Sequence, residues 1–239
     1  MEHVFVGCSG FYYREWKDSF YPKDLAAKDW FAYYAKRFNT LEINASFYRL
    51  PTLTMLKRWY EQSPTNFVFS MKVPRSITHF SKFVGTAGEL RSFYDLIRGS
   101  LGEKLGAVLF QLPGTVYFDL KLLENIIQQL DVSFTNVIEF RHASWWRPEV
   151  YEILKNAQVT FCSVSHPTLP SDAIATSNTS YLRFHGVPHL YYSRYSVEVL
   201  ATWATKVQQN QPEKIFAYFN NTAAMEALGN ARYFRELLV

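Results

Sequence analysis

Cysteine is scarce: Cys8 and Cys162 are the only two in 239 residues. They stand far apart in apolar, strand-like runs. That spacing excludes a disulfide framework and leads us to expect two buried thiols in a reducing compartment. No apolar run approaches the roughly 20 residues that a membrane helix needs. The opening segment, MEHVFVGCSG, has no basic stretch leading into a long apolar one, so no signal peptide is expected. Both absences point to a cytoplasmic protein without a membrane partner. Charge is modest too. Asp, Glu, Lys and Arg make up 19%, with no Lys/Arg run. The net charge of +4 and pI near 8.9 are too mild and dispersed to argue for nucleic acid. The first strand-like run continues as GCSGFYY, which is neither GxGxxG nor a Walker loop. HExxH, a serine nucleophile elbow and a locally supported Cys–His pair are also missing.

What the chain has is aromatic and β-branched residues. Aromatics reach 18% and hydrophobic residues 48%, which excludes disorder and favours an aromatic-rich core over a stacking surface. Eight short apolar runs begin at Val4, Thr40, Phe67, Gly106, Asn136, Val159, Ser180 and Lys214, each rich in Val, Ile, Phe or Tyr. Between them the period becomes helical. Helices are predicted over 29–38, 52–62, 88–101, 120–130, 148–157 and 196–210, and again in the closing NARYFRELL. Pro51, Asp119 and Pro148 fall near helix starts, where those residues are favoured. Strand and helix alternate at roughly 30 residues per unit, the pattern of a (β/α)8 barrel. The rival is a doubly wound open sheet, whose phosphate loop is missing. No linker or composition shift divides the chain, so residues 1–239 are read as one α/β domain, a single TIM-type barrel. The stretches 9–28 and 166–177 read as loops at the barrel mouth.

Charged residues occur inside these strands. Side chains alternate between faces along a strand, and in a barrel one face points to the axis. In NVIEFRH, Ile138 and Phe140 oppose Glu139 and Arg141. In TLEINAS, Leu41 and Ile43 oppose Glu42 and Asn44; in SYLRFHG, Leu182 and Phe184 oppose Arg183 and His185. The same phase sets Ser70 and Lys72, Gln111, Ser163 and Ser165, and Tyr218 and Asn220 on the axial face. Seven of eight strands thus aim polar groups inward, mostly near their C-terminal ends. That is where barrel enzymes keep their sites, and grouping the ions there lets opposite charges offset desolvation. For one residue alone the simpler reading is a structural ion pair, for example Glu139 with Arg183.

Taken in order, GCSGFYYREWKDSFYP, FNTLEINASFYRLP, FVFSMKVPRSITH, LFQLP, EFRHASWW, YLRFHG and YFNN resemble the YecE-like family, domain of unknown function 72, over nearly the whole chain. The resemblance implies a TIM-type barrel and leaves the reaction to be argued from residues. Positions matching its motifs include Trp16, Glu42, Asn44, Tyr48, Lys72, His79, Gln111, Glu139, Arg141, Trp145, Arg183, His185 and Asn220. One departure stands out: after the sixth strand the family commonly carries an acidic residue, and this chain has Ser165 in SVSHP.

An excess of cations in such a pocket favours an anionic substrate. The expected catalyst is a hydrolase, lyase or isomerase of a small anionic, polyhydroxylated compound. Glu139 is expected as base, with Glu42, His185 and Lys72 as further catalytic groups. Arg141, Arg183 and Lys72 would hold the anion. Asn44, Gln111, Asn220 and His79 would line the site, while Tyr48, Trp16 and Trp145 would stack on the substrate or cover it. No cofactor is expected, but Glu42, Glu139, His185 and His142 are ligand types, which leaves a divalent-metal-dependent sugar isomerase or phosphodiesterase-like enzyme as a second reading. A single-stranded nucleic-acid-binding surface is a third, disfavoured by the modest charge. Lys72 is expected to pair with a glutamate, the commoner case; a Schiff-base nucleophile is the rarer alternative, since buried lysines lose their charge more easily.

Overall fold

The structure, a computed structural model, describes residues 3–223 and 225–239. The eight strands are β1 (Val4–Ser9), β2 (Thr40–Ile43), β3 (Val68–Lys72), β4 (Leu105–Gln111), β5 (Asn136–Glu139), β6 (Thr160–Ser165), β7 (Thr179–Phe184) and β8 (Lys214–Phe219). They pair in parallel in sequence order, and β8 returns to β1, closing the barrel. The helices are α1 (Trp30–Ala35), α2 (Ala45–Tyr48), α3 (Leu53–Gln62), α4 (Ala87–Leu101), α5 (Leu120–Gln129), α6 (Pro148–Asn156), α7 (Val197–Gln209) and α8 (Glu226–Leu238). No helix among the described residues is long and apolar enough to cross a membrane.

The predicted helix over 29–38 is shorter than its period suggested. Asn39 is the reason: its side chain accepts from Val6 N and donates to Val4 O, which draws the chain out of the helix and against β1. Helix starts follow local chemistry. Thr52, Asp119 and Ser196 each accept a hydrogen bond from the backbone three residues on, and Pro148 occupies the first turn of α6. The connection 166–178, between β6 and β7, forms no helix.

Two apolar layers result. The larger fills the space between barrel and helices and contains Cys8; the smaller fills the barrel itself, with Leu109, Val137, Cys162, Val164, Tyr181, Phe216 and Tyr218. Both cysteines are free and buried. The sixth strand corrects the expected phase: Cys162 and Val164 face the axis, and Ser163 instead accepts from Ile174 N in the following loop. Ser165 therefore shares the outward parity, and the question of a missing acid at that position does not reach the barrel axis. Tyrosines plug the lumen at mid-height. Tyr218 Oη lies 2.6 Å from Thr40 Oγ1 and 2.8 Å from Ser70 Oγ, and Tyr181 Oη donates to Glu42 Oε2 at 2.7 Å. Buried phenols need such partners, and here they form the floor on which the polar layer rests.

Candidate active site at the barrel mouth

Above the tyrosines, the axial residues of β2, β5 and β7 meet around one guanidinium. Arg183 donates through Nε and Nη2 to both oxygens of Glu42, at 3.0 Å to Oε2 and 2.7 Å to Oε1. Its Nη1 donates to Glu139 Oε2 at 2.6 Å. Glu42 also accepts from Ser9 Oγ at 2.6 Å and Asn44 Nδ2 at 3.3 Å. Glu139 Oε1 receives Arg141 Nε and lies 3.0 Å from His185 Nε2. Asn220 Nδ2 stands 3.1 Å from His185 Nδ1. With its proton on Nε2, His185 donates to Glu139 and accepts from Asn220 without charging the ring, and Arg141 Nη2, 3.1 Å from the same Nε2, then finds no acceptor there. Glu42, Glu139, Arg183 and His185 are all essentially inaccessible to solvent.

Burial alone would raise the Glu139 carboxyl. Arg141, Arg183 and His185 overcome that and hold it well below the usual carboxylate range. Burial, then Arg141, pushes His185 well below the ordinary histidine value. Burial would weaken the Arg183 cation, but the two carboxylates hold it all the more firmly charged.

A cavity of about 250 Å³ opens over this layer, lined by Tyr13, Asn44, Tyr48, Lys72, Gln111, Arg141, Arg183, Tyr191 and Asn220. Its lining has three basic side chains and no carboxylate. Arg141 Nε is taken by Glu139 and Nη2 lies beside His185, while Nη1 has no hydrogen-bond partner among the described residues. Lys72 Nζ donates to Gln111 Oε1 at 2.6 Å and sits 4.0 Å over the Phe47 ring. No carboxylate pairs with it among the described residues, contrary to expectation: Glu42 and Glu139 are taken by the two arginines. Burial, then Arg183, lowers the Lys72 ammonium to about 7. A second, apolar slot of about 410 Å³, walled by Phe11, Tyr12, Tyr13, Met55 and Trp59, meets the cavity at Tyr13 and Asn44. Asn44 Oδ1 is buried there without a partner.

Several expected residues lie elsewhere. Neither Glu139 nor Glu42 lines the cationic cavity, though Glu42 borders the adjoining slot, so a base role for Glu139 meets a carboxylate whose oxygens are already engaged by cations and donors. His185 likewise lies beneath the lining. Trp16 is fully buried, donating to Thr222 O at 3.3 Å and packing behind Tyr13 at 4.7 Å between ring centres. Trp145 is also fully buried, stacked 4.2 Å from Phe140 with Nε1 donating to Val116 O. Neither indole can stack on a substrate. His79 stands edge-on to Phe47 and is not among the cavity-lining residues, and burial, then Lys72, lowers it to about 4. Tyr48 is exposed on the rim, as expected. Sequence reasoning passed over Ser9, Tyr13, Tyr181 and Tyr191. Ser9 and Tyr181 carry the axial parity and could have been found by it; Tyr13 and Tyr191 lie in loops, where no period operates. His166 continues the axial parity of β6, and its ring centre is 5.8 Å from that of His185. Among the described residues, no three His, Cys, Asp or Glu side chains are grouped to hold a metal ion.

These features define a single (β/α)8 barrel with a polar, cation-lined site at the C-terminal ends of its strands. The chain belongs to the family described as Protein of unknown function DUF72, whose model matches residues 5–239. The UPF0759 protein YunF of Bacillus subtilis is 26% identical, with 98% of this chain and 94% of that protein covered. A crystal structure of a DUF72 family protein from Thermotoga maritima superposes with a TM-score of 0.90 at 28% identity, covering 99% of both chains. An AP endonuclease, family 2, from Brucella melitensis shares the fold alone, with a TM-score of 0.56 at 11% identity over 98% of both chains.

Proposed function

We propose that this protein is an enzyme of the hydrolase, lyase or isomerase type, acting on a small anionic, polyhydroxylated substrate in the mouth cavity. One observation carries the reading: three basic side chains and no carboxylate line a recess whose floor is rigidly bonded. Such a recess attracts an anion, and fixed donors hold it without reorganising. Arg141 Nη1, without a partner among the described residues, is the anion's main contact. Arg183 supplies field from below; its own hydrogen bonds go to Glu42 and Glu139. Those carboxylates orient the guanidinium and keep it from turning into the cavity. Asn44, Gln111 and Asn220 offer amide groups to hydroxyls, and the apolar slot beside Tyr13 receives the rest of the molecule. Lys72 is the lining group able to carry or give up a proton near neutral pH.

The test is a thermal-shift screen of phosphate, sugar phosphates and hydroxy acids against the wild type and Arg141→Ala. Anions that raise the melting temperature of the wild type and leave the variant unmoved support the reading. Equal shifts in both proteins, or none with any anion, overturn it.

A further inference from the structure

A buried lysine is ordinarily explained by a carboxylate that neutralises it. Lys72 lacks that explanation. Glu42 stands on the adjoining strand and Glu139 two strands further round, and both are committed to arginines. The amine keeps one oxygen acceptor, Gln111 Oε1, and rests on the Phe47 ring. The ring favours the cation, but the other charges in view are mixed: Arg183 on β7 and Arg141 after β5 oppose it, while Glu139 and Glu42 support it from below. His79, edge-on to Phe47, is held neutral near pH 7. The net result is an ammonium that loses its proton near neutrality, at about 7. The side chain is 8% exposed and lines the cavity, so the amine is sheltered yet open to a ligand held there.

We infer that Lys72 is a nucleophile that forms a Schiff base with the carbonyl group of an anionic aldehyde, ketone or keto acid. The inference rests on the reading of the mouth as an anion site and names the reactive group of its substrate. An amine flanked by cations in a desolvated recess is the arrangement that gives lysine nucleophilic character. Arg141 fixes the anionic end and leaves the carbonyl carbon to face Nζ. The nitrogen lone pair forms the C–N bond as the C=O π pair moves to oxygen, and a proton passes from nitrogen to that oxygen, giving a carbinolamine. The nitrogen pair then forms C=N and the oxygen leaves with a second proton as water. Amine and carbonyl compound become imine and water, with no oxidant or reductant. The imine is an electron sink, which suits the lyase and isomerase options over the hydrolase.

The experiment treats the intact protein separately with glycolaldehyde phosphate and with pyruvate, each with sodium borohydride, and reads intact mass and the labelled peptide. Inorganic phosphate affinity is measured in parallel by calorimetry. Lys72 is expected to gain the mass of the carbonyl compound less one oxygen, at least tenfold faster than any exposed lysine. The labelling rate should rise with pH through a midpoint near 7. Lys72→Met, which keeps the chain length over Phe47, should still fold and take no label at this peptide. If phosphate binds and neither probe labels Lys72 faster than exposed lysines, the Schiff-base inference is overturned and the anion site stands. Failure of phosphate to bind with Arg141 intact overturns the anion site and this inference together.

Discussion

Arg183 clamps Glu42 through two nitrogens and Glu139 through the third, so one guanidinium joins carboxylates from β2 and β5 across the barrel axis. The geometry is the reverse of two independent acid–base residues. It makes a rigid platform whose charges are spent internally, and it leaves chemistry to the groups above it.

Removing one member should therefore damage the fold before it damages a reaction. Glu139→Gln takes the carboxylate partner from Arg141 and leaves Arg183 with Glu42 alone at a buried site, and such breaks cost about 3–5 kcal/mol. Urea unfolding at pH 7 should show that loss with an unchanged slope. A variant as stable as the wild type would show that the platform contributes nothing to folding.

Arg141 should behave differently. Its side chain is partly exposed, and Glu139 keeps Arg183 and His185 when it is gone. Arg141→Ala should weaken inorganic phosphate about tenfold or more, since a charged hydrogen bond is worth about 1.5–3 kcal/mol. Its unfolding free energy should change less than that of Glu139→Gln. Calorimetry and urea titration of the same preparation check both statements.

Two aromatics should separate packing from recognition. Trp145→Ala empties a fully buried site against Phe140 and should cost about 3–5 kcal/mol, with phosphate affinity per folded molecule unchanged. Tyr48→Ala, on the exposed rim, should leave stability within about 0.5 kcal/mol and weaken substrates larger than phosphate. An unchanged melting temperature for Trp145→Ala would contradict its placement.

Stability should fall on acidification for two reasons of the same sign. The Glu139 carboxyl is depressed in the fold, so its stabilisation is present above the unfolded value of 4.5 and is lost as pH drops through the lower folded value. His185 is held neutral in the fold, so below about 6.5 the unfolded chain gains a proton that the native one refuses. At the alkaline end, Lys72 titrates near 7 when folded and 10.5 when unfolded. The unfolded chain binds more protons between those values, and stability from Lys72 rises with pH across that window. Unfolding free energies measured from pH 4 to 9, stopping where the unfolded thiols of Cys8 and Cys162 ionise, should show both slopes, and Lys72→Met should flatten only the upper one.

Much of this was legible in the residues. Alternation alone put Glu42, Lys72, Glu139, Arg183 and His185 on one face of their strands, because the period of two is a local property of extended chain. The spacing of strands and helices was enough for the barrel, since parallel neighbours need a crossover of that length. The sixth strand escaped. VTFCSVS is apolar and small on both parities, so nothing local shows which parity a closed barrel will turn inward. Trp16 and Trp145 escaped for a related reason: an indole in a loop can cover a ligand or a core, and only its neighbours distinguish the two.

By itself, the sequence determined the order of the elements, the family and the set of polar groups sent to the axis, all of which follow from short-range periodicity and ordered motifs. Only the tertiary structure decided how those groups divide the work. Ion pairing depends on distances across the barrel, between residues up to 141 positions apart, and no pattern along the chain could show that both glutamates would go to arginines and leave Lys72 with an amide.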